Sequence, residues 1–233
     1  ALALPLVLLY TQQMFRAAAP RLFDSRLPTY YEGKLVTPEG HARMAALVLA
    51  PASAHPLAGV VGGAGAWSEG AAQHRQLVAA AANLSSWPQW LGVIGGLCGG
   101  MLSDCVLRRT GSRRWARNGV AIGSLLMCLA VYGLAWLMTD LHLFAALLAV
   151  GSFFFNFSSP CAYALTIDMG GKYLPVVFGF MNMIGNVGAW LFVSCIMWVV
   201  SLGGWELAFG LWASLHLWAI LCWLFLDSER KIA

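Results

Sequence analysis

GGLCGGMLSDCVLRRTGSRRWAR, residues 95–117, runs from an apolar segment through two glycine pairs and one carboxylate into five arginines. Gly95, Gly96, Gly99 and Gly100 recur four apart, which leaves one helical face thin enough for a second helix to approach closely. Asp104 lies near the basic end, where it can pair with an arginine or meet the N-terminus of a neighbouring helix. Arg108, Arg109, Arg113, Arg114 and Arg117 suit a loop held at anionic headgroups. The segment reads as a latch between two helices; a generic topology-setting basic loop is the alternative.

The flanks of the segment decide the fold class. There are 28 uncharged residues between Arg75 and Asp104, and 22 between Arg117 and Asp140. Further on there are 27 between Asp140 and Asp168, 33 between Lys172 and Glu206, and 20 between Glu206 and Asp227. A helix needs about 20 residues to cross the hydrocarbon core, and a charge at its centre costs about 2.5–3.5 kcal/mol on insertion scales. Only 10% of all residues are charged, against about 25% in soluble domains. The chain therefore reads as an all-α membrane protein. The basic patch is accounted for by topology, so nucleic acid is not an expected partner. No histidine or acidic cluster suggests an enzyme, a metal site or a cofactor. The six cysteines (Cys98, Cys105, Cys128, Cys161, Cys195, Cys222) have no ligand spacing and read as small buried hydrophobes.

Six spans are expected, at about 1–31, 83–106, 117–139, 142–166, 174–200 and 204–227. The first is broken by Arg16, Arg21, Asp24 and Arg26. Residues 32–82 read as a long extracytoplasmic loop. Within it, 44–68 is apolar but holds Pro51, Pro56 and the glycine-rich GVVGGAGAW, so it is a poor spanning helix; an extra span or a re-entrant segment is the alternative. The short links at 139–141 and 201–204 carry no basic residue, whereas 107–117, 168–173 and the tail do. The positive-inside rule then places those three, and the C-terminus, in the cytoplasm. The opening ALALPLVLLY has neither Met nor a basic segment, which suits an internal cut in a longer sequence. Trp87, Trp90, Trp198 and Trp205 fall near span ends, as an aromatic belt would.

The arginine segment resembles the glycine–aspartate–arginine signature of the major facilitator superfamily, with Gly100, Asp104, Arg108, Gly111, Arg113 and Arg114 on its framework. Three more blocks resemble that superfamily's anion:cation symporter family. TQQMFRAAAPRLFDSRLPTYYEG, residues 11–33, is similar to its seventh helix. PCAYALTIDMGGKYLPVVFGFMNMIGNVGAW, residues 160–190, is similar to helices ten and eleven and their aspartate–glycine link. LCWLFLDSERKI, residues 221–232, is similar to the end after helix twelve. Residues 34–80 are longer than the family's usual connection and foreign in composition. Leu174-Pro175 stands where a small residue and glycine are usual, although proline is tolerated in a helix's first turn. The resemblance implies a six-transmembrane-helix bundle, the C-terminal half of a twelve-helix transporter, with its N-terminal half missing. It implies symport of a sugar acid such as a hexuronate, aldonate or aldarate, coupled to a proton or sodium ion, across a bacterial inner membrane. A truncated, non-transporting remnant or a structural or regulatory membrane component is the alternative.

The expected substrate contacts start with Arg16 and, four residues before it on one helical face, Gln12. A guanidinium there can hold a carboxylate bidentately; snorkelling of Arg16 is the alternative. Arg21 and Arg26 are weaker candidates. Tyr30 is a cavity residue or an interface anchor. Asn156, with Ser158 and Ser159, and the pair Asn182 and Asn186, four apart near Gly179 and Gly185, meet substrate hydroxyls or join helices. Asp168, at a cytoplasmic connection, reads as a gate or helix-cap residue. His142 and His216 are isolated in apolar surroundings and offer little for proton coupling.

Overall fold

The computed structural model describes residues 4–15, 64–138 and 140–229. The chain divides into two compact units, Ala1–Ser25 with Trp87–Ala233, and Arg26–Ser86. Of the second unit, residues 64–86 are described, and they are helical.

The helices of the first unit are α1 (residues 4–15), the C-terminal part of α2 (Ala64–Thr110), α3 (Val120–Trp136), α4 (Leu141–Gly170) and a final run, Leu174–Phe225. That run breaks at Gly203 and Gly204, where φ/ψ leave the helical region, so it is two helices, α5 before the break and α6 after it. Gly204 has φ 67° and ψ −169°, a combination open in practice only to glycine. No strand occurs among the described residues.

Among the described residues, four stretches are long and apolar enough to cross a bilayer: Asn83–Thr110, Arg114–Trp136, His142–Ile196 and Trp198–Phe225. The third contains the 3-10 turn Gly171–Tyr173 and thus holds α4 and most of α5. The protein is an all-α, multi-pass integral membrane protein. Its outward surface agrees: Leu97, Met101, Trp190 and Phe225 are exposed by 68%, 73%, 68% and 73%, which suits contact with lipid rather than water.

The helix ends follow local rules. Asp140 caps α4, its carboxylate accepting from the Leu143 amide at 2.7 Å, as Asp does at an N-cap. Pro175 stands in the first turn of α5, where no intrahelical donor is lost. One expectation needs correction. Residues 64–82, read as part of a loop, are helical, and α2 starts nineteen residues before the expected span. Six of the twelve residues 71–82 are alanine, the strongest helix former. Propensity makes the helix, while Glu69 and Arg75 keep this part out of the apolar stretch that begins at Asn83. Residues 32–63, with most of 44–68, lie outside the described residues, as does the first span beyond residue 15.

The core of the unit draws one or more residues from every helix but α2. Leu9 (α1), Leu125 (α3), Leu165 (α4), Met181 (α5) and Trp223 (α6) are almost wholly buried together. α3 packs most extensively on α4. α2 reaches α4 through its thin face: a Cβ at Gly95 would fall 2.1 Å from the Phe153 carbonyl oxygen, and one at Gly99 2.5 Å from that of Phe157. In lipid, where apolar burial gives helices little reason to associate, such backbone proximity is a principal source of packing energy. Of the cysteines, Cys128, Cys161 and Cys222 are buried, whereas Cys105 and Cys195 are exposed.

Candidate functional site

The basic connection is shorter than it reads. α2 continues to Thr110 and carries Arg108 and Arg109 in its last turn, where cations meet the negative end of the helix dipole. Gly111 follows with φ 66°, and its amide donates to the Leu107 carbonyl at 2.9 Å. This is the left-handed C-cap that glycine fills at least cost. The chain then enters a π-helical turn, Arg114–Gly119, that feeds α3 and buries Ala116, Arg117 and Asn118 in succession.

Arg117 is the centre of the site. Its Nε donates to Asp168 Oδ2 at 3.2 Å. Its Nη1 donates to Ser103 Oγ at 2.6 Å and Asp104 Oδ1 at 3.1 Å. Ser103 Oγ in turn donates to the Ala116 carbonyl at 2.7 Å. One guanidinium therefore ties together the end of α2, the start of α3 and the end of α4. The two aspartates sit near helix C-termini, where a carboxylate is disfavoured, and Arg117 supplies the compensating charge. The Arg117 side chain is 7% exposed, that of Asp168 20% and that of Asp104 57%. The Asp168 contact is thus largely desolvated and the Asp104 contact is not.

Next to it, Asn118 Nδ2 donates to the Trp223 carbonyl at 2.9 Å and the Leu226 carbonyl at 2.6 Å. The last turn of α6 thereby finds the donors that its free carbonyls require. The two neighbours Arg117 and Asn118 join four helices at one end of the unit.

The expected motif residues separate into two groups. Asp104 and Asp168 enter the cluster. Gly100 provides an ordinary close contact, its Cβ position being 3.5 Å from Pro160 Cβ. Arg108, Arg109 and Arg114 are exposed and Arg113 half-buried, and none of the four makes an ion pair among the described residues. Asp168 is an ion-pair partner rather than a cap. By sequence, Arg117 is only one of five arginines in a loop. A signal was available: it is the arginine that directly precedes 22 uncharged residues, and so the one drawn deepest. Ser103 and Asn118 carry no comparable mark.

Among the expected substrate contacts, Arg16 and Tyr30 lie outside the described residues. Gln12 is fully buried, and neither its Oε1 nor its Nε2 has a hydrogen-bond partner among the described residues. It sits on a helix pressed against α5: a Cβ at Gly188 would lie 2.6 Å from Met14 Cγ, and the Tyr10 and Phe180 rings are 6.3 Å apart. An amide buried without a partner costs roughly 2–7 kcal/mol, depending on the reference state. Asn156 donates to the Ser152 carbonyl at 2.9 Å and fills the notch at Gly92, whose Cβ position lies 2.6 Å from Asn156 Nδ2. It joins α4 to α2. Asn186 is exposed on α5 and donates to the Asn182 carbonyl at 2.9 Å; Asn182 is half-buried. No hydrogen bond joins Asn156 to either among the described residues.

The chain is similar to the probable sulfoacetate transporter SauU of Cupriavidus necator, at 33% identity over 95 residues. The aligned stretch covers 41% of this chain and 22% of that relative's length. No family model matches the chain, and no solved structure does.

Proposed function

We propose that this chain is the six-helix C-terminal half of a secondary transporter of the major facilitator superfamily, of the anion:cation symporter type. Its cargo is a small organic anion, a sugar acid such as a hexuronate, aldonate or aldarate. The observation that carries the reading is the Arg117 cluster. A buried guanidinium shared by three helix ends at one membrane face is an arrangement that can be made in one conformational state and broken in another. Alternating access would rock this half against a second six-helix half around a midplane site, coupled to a proton or sodium ion. The arginine-rich end lies in the cytoplasm of a bacterial inner membrane, together with the C-terminus. The similarity to a probable sulfoacetate transporter supports an anionic cargo.

Gln12 supports the placement of the site. Its unpartnered amide is the kind of group that a bound oxyanion or hydroxyl would satisfy. With Arg16, four residues further along the sequence, it would handle the carboxylate, and Asn182 and Asn186 would meet hydroxyls. Uptake of radiolabelled hexuronate, aldonate and sulfoacetate by the assembled transporter in proteoliposomes tests this. At least one anion should accumulate, and Arg16→Ala and Gln12→Leu should each cut uptake at least tenfold. Unchanged uptake in both variants would refute the site. Transport confined to neutral or cationic solutes would refute the substrate class.

A further inference from the structure

A cavity lies between α3 and α6, far from the Arg117 cluster. Trp136, the last residue of α3, follows Arg117 by nineteen positions, or about 28 Å of helix, which is nearly the thickness of the hydrocarbon core. The cavity thus stands at the opposite headgroup layer. Its volume is about 400 Å³, and its walls include Tyr132, Trp136, Phe209, Trp212 and Glu206. The rings meet edge to face: Tyr132 and Trp212 at 4.2 Å and 83°, Trp136 and Phe209 at 4.7 Å and 62°. Gly133 and Gly210 also line it, and a Cβ at either would meet nothing within 4 Å, so the space between the helices stays open. Glu206 is the one charged residue of the lining. It is exposed and makes no ion pair among the described residues.

Aromatic side chains that share a cavity wall with a carboxylate favour a cation, ammonium groups above all. They repel an anionic headgroup, and they repel the anionic cargo proposed above, so this site is separate from transport and stands without that reading. We propose that the cavity holds the ammonium headgroup of a zwitterionic bilayer lipid, phosphatidylethanolamine or a relative. Charge complementarity names the ammonium, and the position at a headgroup layer names the lipid. The exposed Leu137 and Leu207, 72% and 47% accessible, flank the lining residues Trp136 and Glu206 and offer apolar contact to its acyl chains.

Native mass spectrometry of the purified chain in detergent, titrated with phosphatidylethanolamine or phosphatidylglycerol, tests the proposal. Phosphatidylethanolamine should be retained at least fivefold more than phosphatidylglycerol. Glu206→Gln should lower its retention at least threefold and leave phosphatidylglycerol unchanged. Equal retention of the two lipids would overturn the proposal, as would a Glu206→Gln variant that retains phosphatidylethanolamine like the parent. Complete displacement of the lipid by millimolar tetramethylammonium would assign the cavity to a soluble ammonium compound and overturn the lipid. Should Glu206→Gln lower the thermal midpoint, Trp136→Leu is read by the same thresholds.

Discussion

Arg117 reaches its two carboxylates at almost equal distances, 3.1 Å for Asp104 and 3.2 Å for Asp168, yet the two contacts should differ severalfold in energy. The Asp104 side chain is 57% exposed and the Asp168 side chain 20%. Exposed ion pairs contribute about 0.2–1 kcal/mol, because water and salt screen them. Breaking a buried pair by removing one partner costs about 3–5 kcal/mol. Asp168 retains some exposure, so a coupling of about 2–3 kcal/mol to Arg117 is expected, against less than about 1 kcal/mol for Asp104. The perturbation is a pair of double-mutant cycles on Arg117→Gln with Asp168→Asn and with Asp104→Asn, which isolate each pairwise energy. The assay is reversible unfolding in mixed micelles followed by tryptophan fluorescence. Arg117→Gln alone should cost about 3 kcal/mol, since it strands the largely desolvated Asp168 carboxylate and removes a donor to Ser103 Oγ. The Asp104 coupling should fall further on raising the salt, and the Asp168 coupling should hold. A cycle in which Asp104 couples to Arg117 as strongly as Asp168 does would refute the argument that burial, not distance, ranks these contacts.

Two further outcomes are expected from the same unfolding assay. Gly99→Ala places a methyl group 2.5 Å from the Phe157 carbonyl oxygen; forcing α2 and α4 apart should cost about 1–3 kcal/mol, whereas Gly123→Ala, with nothing within 4 Å, should be neutral or slightly stabilising. Asn118→Ala removes both donors to the end of α6 and should cost about 1–3 kcal/mol, and Asn118→Asp should cost more, because it sets an anion against two carbonyl oxygens; a variant as stable as the parent would show that these carbonyls find other partners.

Sequence alone determined the solvent of this protein and several of its helix ends. A charge is expensive in hydrocarbon wherever it occurs in the chain, and a helix satisfies its backbone within itself, so uncharged stretches report spans without reference to neighbours. The breaks are equally local. The Asp140 cap, Gly111 after the arginine pair, and the Gly203–Gly204 kink each mark an end that the residue itself dictates. The start of α2 was not legible in the same way, because charged and glycine-bearing residues before Asn83 mask a run of strong helix formers. Tertiary structure decided which groups meet. Five arginines in one short segment are equivalent by composition, and only the π-helical turn turns Arg117 inward while Arg108, Arg109 and Arg114 stay exposed. Asn156, a candidate ligand by type, packs against Gly92 because α2 and α4 touch there. Gln12 is buried with no hydrogen-bond partner among the described residues, on a helix that packs against α5. Long polar side chains can reach several neighbours, and which helix stands beside which is a property of the whole bundle that no local pattern encodes.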